Sequence, residues 1–452
     1  MIKFSEILIV LTCCACFGAF SVRAAGQSKY VVAESMEIGQ VPAGFPVNFC
    51  LLTHGGRQYV AYYDRDHRMA VASRTLDSDK WVYKVLDTKV GWDSHNYITM
   101  AIDRDGQLHV SGNMHCVKLI YFRTQKPGDI TTLTRYAMTG IAESRVTYPK
   151  FFRNHEGELV FNYRDGGSGN GSRIYNKYDP DTPSWSRLLD KPLFDGQGLV
   201  NAYPMGPVAG PDGYFHVVWV WRETPDCATN HNLSYVKSRD LIEWESAGGK
   251  KIDLPITKAH KSLLVDPIPS GGGTINGCQR LLFDAENRPV IAYHKSDSDG
   301  NMQVYAGRFE NGKWVIRRLT DWDKPVKFSG YGAMPFIGIG LGKLERVEEG
   351  LLTMTYRHKD YGSGRLVIDE KTLRPIDKKI TVVGDYPKEM GRRQITAGGF
   401  GIRRAGDIGS SGDENVRYVL QWETMGRNHD RPRKNVRPRT STLKLYKLKL
   451  RD

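Results

Sequence analysis

The stretch Asp103-Arg104-Asp105-Gly106-Gln107-Leu108-His109-Val110 and its echo Gly210-Pro211-Asp212-Gly213-Tyr214-Phe215-His216-Val217 decide the fold. Each is a polar tight turn running straight into an apolar, β-prone segment, with glycine placed where a left-handed backbone is needed. The unit recurs at Asn154-His155-Glu156-Gly157 before residues 158–161, and at Asp284-Ala285-Glu286-Asn287 before residues 288–291. Weaker copies are His54-Gly55-Gly56 and Glu348-Glu349-Gly350, and a last one ends in Tyr418–Trp422. A further strand follows each hairpin, as at Met69–Ser73, Leu119–Arg123, Arg173–Tyr178 and Leu233–Lys237. Trp81, Trp185, Trp244 and Trp314 mark a closing strand. Four short antiparallel strands repeated at a period of about 50 residues, in about seven copies, predict an all-β chain folded as a single seven-bladed β-propeller. No amphipathic segment of helical period competes, and no linker divides the chain.

Residues 1–25 stand apart from this repeat. Lys3 precedes an apolar run from Ile7 to Phe20, and Ser21-Val22-Arg23-Ala24-Ala25 supplies a small-residue cleavage site. That pattern predicts a signal peptide and a secreted or periplasmic product, with residues 26–452 as the propeller domain. Lipoprotein anchoring at Cys13 or Cys16 is the weaker alternative. No later run is long enough to span a bilayer. Cys50, Cys116, Cys227 and Cys278 then remain, too widely spaced to define disulfides. The formal net charge is +14, which concentrates polyanions. Without a basic helical stripe or a phosphate loop, nucleic acid is not the expected partner; in an exported chain an acidic glycan is. The segment from Arg427 to Arg439 is expected to be a solvated basic loop.

Aligning the turns sorts side chains onto two faces of the ring. Residues about ten before a turn and about eight after it share the face opposite that turn. They are His95, Tyr148, Tyr203 and Cys278 before the turns, and Asp64, His115, Arg164, Arg222, His294 and Arg357 after them. Channel mouths of this kind bind ligands. His109 and His216 repeat one slot in two blades, so they are expected to be structural, while His54 lies in a turn on the far face. The ring of cations, histidines and tyrosines is poor in carboxylates. Glycoside hydrolysis needs a carboxylate pair, so β-elimination fits better: a cation neutralises a uronate carboxylate, a base removes the C5 proton, and an acid meets the departing 4-linked oxygen.

The stretches Gln58–Asp64, Gly91-Trp92-Asp93-Ser94-His95-Asn96-Tyr97, His109–His115, Thr147–Phe152, Tyr163–Gly171 and Trp221–His231 resemble the seven-bladed propeller polysaccharide lyases, of ulvan lyase and rhamnose–glucuronate lyase type. The resemblance covers nearly all of the mature chain. It implies cleavage between rhamnose and a 4-linked glucuronate or iduronate, as in ulvan or rhamnose-capped arabinogalactan. His95 and His115 would transfer protons or contact substrate, Tyr148 would be the general acid or base, and Arg164 would neutralise the uronate. Tyr203, Arg222, His294 and Arg357 are expected to bind substrate. The related propeller rhamnosidases use one histidine on the opposite face, which gives His54 as the alternative: an exo-α-L-rhamnosidase acting on rhamnose–α-1,4-glucuronate ends. A non-catalytic propeller binding acidic glycans is the second alternative.

Cys227 and His231 have a spacing that suits structural zinc, and the resemblance implies a metal near that loop. Asn170 and Cys278 are the candidate further ligands, and Ca2+ is the other candidate ion. The expected partner is an acidic polysaccharide containing rhamnose and uronate; the chain is expected to act as a monomer, with no membrane span.

Overall fold

The structure, a computed structural model, describes residues 28–451. The expected signal peptide and the cysteines at 13 and 16 lie outside the described residues. Within them the strands form seven antiparallel sheets, filled in chain order from Cys50–His54 to Thr440–Leu450. The first, second and fifth sheets have four strands each and the sixth has three; the third and fourth are widened to six by short added strands.

The expected turns are present, and the stronger copies share one construction. In those that carry an Asp or Asn, its side-chain oxygen caps its own loop, whereas the turns at 54–56 and 348–350 have no such residue. Asp103 Oδ1 accepts from the backbone N–H groups of Asp105 and Gln107. Asp284 Oδ1 accepts from Glu286 and Arg288, and Asn154 Oδ1 from Glu158. The side chain thereby replaces turn hydrogen bonds that the backbone alone leaves open.

Sheet stacking explains why the middle strands lack alternation. Phe215–Arg222 is buried at every position, and Leu159–Gly167 nearly so. A strand covered on both faces reads as a continuous apolar run. Aromatic contacts bridge neighbouring sheets: Phe152 to Phe215 at 6.4 Å and His216 to Phe283 at 4.7 Å between ring centroids. His109 and His216 occupy equivalent buried places. Each ring is held at Nε2 by an aspartate (Asp103, Asp212) and at Nδ1 by a tyrosine hydroxyl (Tyr121, Tyr235).

The last sheet is completed by the chain's beginning. Tyr30–Pro42 pairs antiparallel with Thr440–Leu450 from Tyr30↔Leu450 to Pro42↔Thr440. A parallel bridge from Leu51 to Asp407 and the Phe49–Trp422 contact at 4.6 Å set the first sheet beside the last. The four cysteines remain separate thiols. No helix among the described residues is long and apolar enough to cross a membrane.

Candidate functional site

The loop from Asp93 to Tyr97 leads into the first strand of the second sheet, and it is built to present His95. Tyr63 Oη donates to the Asn96 carbonyl at 2.6 Å. Asp93 Oδ1 accepts from the His95 backbone N–H at 2.8 Å and holds the His95 ring at Nδ1 at 2.7 Å. One carboxylate thus fixes both the turn and the imidazole. Its other oxygen meets Nδ1 of His115, which sits on the short strand His115–Val117 paired to Val146–Arg153. The two imidazoles lie 4.4 Å apart, centroid to centroid.

Tyr148 reaches the same cavity because its strand breaks register between Thr147 and Lys150. Its φ is 58°, a left-handed conformation that costs a non-glycine residue about 1 kcal/mol or more. Strain of that kind persists only where the surroundings impose it. Tyr148 lies 5.8 Å from His95 and 6.2 Å from Tyr203, centroid to centroid.

Arg164 lies beneath this pair. It is 2% exposed, and its guanidinium carbon stands 4.9 Å from the centre of the Tyr148 ring. It donates through Nε to the Gly166 carbonyl at 3.1 Å and through Nη2 to Thr147 Oγ1 at 3.1 Å. Arg222 is likewise spent on the backbone, donating to the Thr224 carbonyl at 3.0 Å. Burial pushes the Tyr148 phenol well up, with a further push from Tyr203 and a partial opposing pull from Arg164.

The third wall comes from the far end of the chain. Asp430, in the loop after Val416–Met425, stands 3.2 Å from His95 Nδ1 and accepts from the backbone N–H of Ala333 at 2.8 Å and of Ser94 at 3.3 Å. Burial opposes a charge on His95, but hydrogen bonds to Asp430 and Asp93 and their negative charge outweigh it and raise its pKa to about 9. Burial would raise Asp93 too; the hydrogen bonds and charges of His115 and His95 instead hold its carboxyl far below the usual range. Together these groups line a cavity of about 690 Å³ that also takes in Ser168, Cys227, Tyr331 and Arg427.

The cavity thus gathers His95, His115, Tyr148, Tyr203 and Arg222, with Arg164 packed behind it. It does not gather His294 or Arg357, and the equal-offset expectation is corrected for both. His294 turns into its sheet, donating from Nδ1 to the Gly273 carbonyl at 2.8 Å, and burial pulls its pKa down to about 4. Arg357 is exposed over the Phe336 ring at 4.3 Å. Asp64 is taken by its own turn and by Arg68. The expected shortage of carboxylates is also corrected, since Asp93 and Asp430 both line the cavity. Asp93 stands two residues before His95, so it was in view; nothing local marks Asp430.

His54 is exposed and lines a separate cavity of about 710 Å³ with the inner strands of the first three sheets and the last. The candidate metal ligands are dispersed. Cys227 borders the large cavity, and Cys278 is buried at 3.5 Å from Thr274 Oγ1. His231 is buried with Nε2 unpartnered, and Asn170 is exposed at a hairpin end. Among the described residues, three or more His, Cys, Asp or Glu ligand atoms gather only at Asp93, His95, His115 and Asp430, all within 4.8 Å of one another. Two imidazoles and two carboxylates at that spacing are a donor set for a dication such as zinc, in competition with the protons those groups otherwise share.

Comparison with known proteins adds the following. Residues 57–322 match the sequence profile described as BNR repeat-containing family member. An ulvan lyase, long isoform, of Alteromonas sp. is 44% identical over 137 residues, 29% of this chain and 10% of the relative. One from Glaciecola sp. (strain KUL10) is 37% identical over 86 residues, 19% of this chain and 8% of the relative. The matches therefore span about a tenth or less of these relatives' length. Among solved structures, the polysaccharide lyase Uly1 superposes with a TM-score of 0.60 at 15% identity, over 93% of this chain and 100% of that one. A PL25 ulvan lyase bound to -[GlcA(1-4)Rha3S]- gives 0.53 at 13% identity, over 86% and 93%. The fold is thus that of these lyases.

Proposed function

This chain belongs to the BNR repeat-containing family, and from that premise we propose that it is a secreted polysaccharide lyase. Its seven sheets are the blades of one closed propeller, and its substrate is an acidic polymer in which rhamnose alternates with a 4-linked uronate. It cleaves that linkage by β-elimination. The ulvan lyase relatives support the substrate class. The observation that carries the chemistry is the grouping of His95, His115 and Tyr148 on one cavity wall, with both imidazoles held at Nδ1 by Asp93.

The roles follow from that grouping. Held at Nδ1, each imidazole turns Nε2 to the cavity. His95, bracketed by two carboxylates, is the imidazolium that meets the uronate carboxylate. Arg164 is too occupied behind Tyr148 to do so, which moves the neutralising role expected of it to His95. His115, with its Nδ1 proton on Asp93, offers Nε2 as the base for the C5 proton. Tyr148, kept as a phenol by burial, donates to the departing oxygen, while Arg164 under its ring steadies the negative charge that grows there.

Hydrolysis at rhamnose–glucuronate ends by His54 is the second reading, favoured by the separate cavity that His54 lines. One assay separates the two. Incubation with ulvan and with rhamnose-capped arabinogalactan is followed both by ultraviolet absorbance of the unsaturated uronate and by free rhamnose. Elimination gives the absorbance and loses it in His115→Ala but keeps it in His54→Ala. Rhamnose release without absorbance sinks the elimination.

A further inference from the structure

The basic segment expected to be merely solvated does more than face water. Its first part, Arg427 to Asp430, walls the large cavity. Its second part walls a neighbouring hollow of about 420 Å³, where Arg433, Arg437 and Arg439 meet Arg65 and His67 from the first sheet's hairpin, with Trp92 between them. The two hollows are bordered by neighbouring residues: Trp92 lines one and Asp93 the other, and Arg433 lines the one and Asp430 the other.

Three features make this hollow a built site rather than a charged surface. It has no acidic lining residue, and among the described residues no carboxylate pairs with any of its four arginines. Four like charges around one hollow repel one another, and an anion between them reverses that sign. Arg433 is fixed, donating to the carbonyls of Gly44 at 3.0 Å, Gly426 at 2.8 Å and Arg427 at 3.0 Å. Trp92 is fixed too. Its ring packs 5.5 Å from Phe45 and 5.9 Å from His67, so tightly on Gly44 that a Cβ there would come within 2.5 Å of it.

We propose that this hollow is a subsite for a second acidic sugar of the polysaccharide whose uronate occupies the large cavity. The forks of Arg65, Arg437 and Arg439 take its sulfate or carboxylate, since guanidinium matches planar and tetrahedral oxyanions bidentately, while Arg433, bonded to three backbone carbonyls, contributes its charge. Trp92 offers an apolar face to the sugar ring. The inference rests on the substrate reading above and assigns tight binding a minimum length, because one residue cannot fill both hollows.

The test uses the full chain with Arg437→Gln and Arg439→Gln together, residues outside the catalytic group. Binding is measured by calorimetry in a Tyr148→Phe background, so it does not depend on turnover. The probes are a long ulvan fragment, the same fragment desulfated, and the shortest ulvan fragment that the parent cleaves. The expected result is a Kd for the long fragment weakened about tenfold, a shallower salt dependence, and unchanged turnover of the shortest fragment. If desulfation removes the difference, sulfate is the group held; if the difference survives, the carboxylate is. Arg65→Gln, on another element, should weaken the long fragment in the same sense, which guards against misfolding of the double variant. Unaltered Kd and salt dependence in both variants overturn the subsite. A protein that binds the long fragment through these arginines but forms no unsaturated product loses the lyase reading and keeps the subsite.

Discussion

His95 and Asp430 meet at 3.2 Å, one from the loop that opens the second sheet and the other from the loop between Val416–Met425 and Thr440–Leu450 of the last sheet. This contact gives His95 its second carboxylate, and through it the far end of the chain sets the charge in the cavity.

Asp430→Asn should therefore change the pH profile more than the fold. Burial, which disfavours charge, is outweighed at His95 by Asp430 and Asp93, giving a pKa of about 9 against an ordinary 6.5. If the imidazolium is the working form, activity falls as pH rises through about 9 in the parent. In the variant that alkaline limb should move to lower pH, with loss of up to about tenfold between the two limbs. The sign for stability is the same: the raised pKa contributes fully below 6.5 and is lost as pH rises through about 9. A kcat profile with an unmoved alkaline limb refutes the role given to His95.

Tyr148→Phe removes only the hydroxyl. The expected outcome is a kcat lower by about 10²-fold or more with KM little changed, as for loss of a proton donor. Thermal melting should shift little, since the ring still covers Arg164. A variant with ordinary kcat places the donor elsewhere.

Arg164→Ala takes one donor from Thr147 Oγ1 and one from the Gly166 carbonyl, leaving them the N–H and thiol of Cys116, and opens a buried void beside Tyr148. Losing a buried, fully bonded cation costs on the order of 3 kcal/mol, read as a lower midpoint in urea. Arg164→Lys should recover part of the activity by keeping a positive charge under the phenol. Equal inactivity of both variants at full stability would point instead to direct contact with substrate.

Zinc should inhibit. The four ligand atoms of Asp93, His95, His115 and Asp430 lie within 4.8 Å of one another, and a bound dication displaces the protons that the two histidines need. Micromolar zinc is expected to suppress turnover, EDTA to restore it, and Asp430→Asn to weaken the effect. Stimulation by zinc would turn the cluster from a proton relay into a metal centre.

What could be read beforehand was what local chemistry writes. Capping side chains such as Asp103 and Asp284 announce their turns, and the fully apolar run at Phe215–Arg222 announces a strand covered on both sides. The cluster His95, His115 and Tyr148 was reachable because hairpin offsets carry side chains to one face. The same offset misled at His294, whose strand turns it inward to the Gly273 carbonyl, and at Arg357, which rests on Phe336. Arg164 fell on the right face but is used up by neighbours that spacing does not reveal. Asp430 was illegible, since only closure of the last sheet brings its loop to His95. The added strands that widen the third and fourth sheets are too short to leave a periodic trace.

The pairing of Tyr30–Pro42 with Thr440–Leu450 also sets a clock on activation. Asp430 and the arginines at 433, 437 and 439 lie just before that final strand. During synthesis, then, the cavity lacks its last wall until the final strand has docked onto Tyr30–Pro42. A nascent or clipped polypeptide can hold His95, His115 and Tyr148 and remain idle, so activity reports that the last sheet has closed.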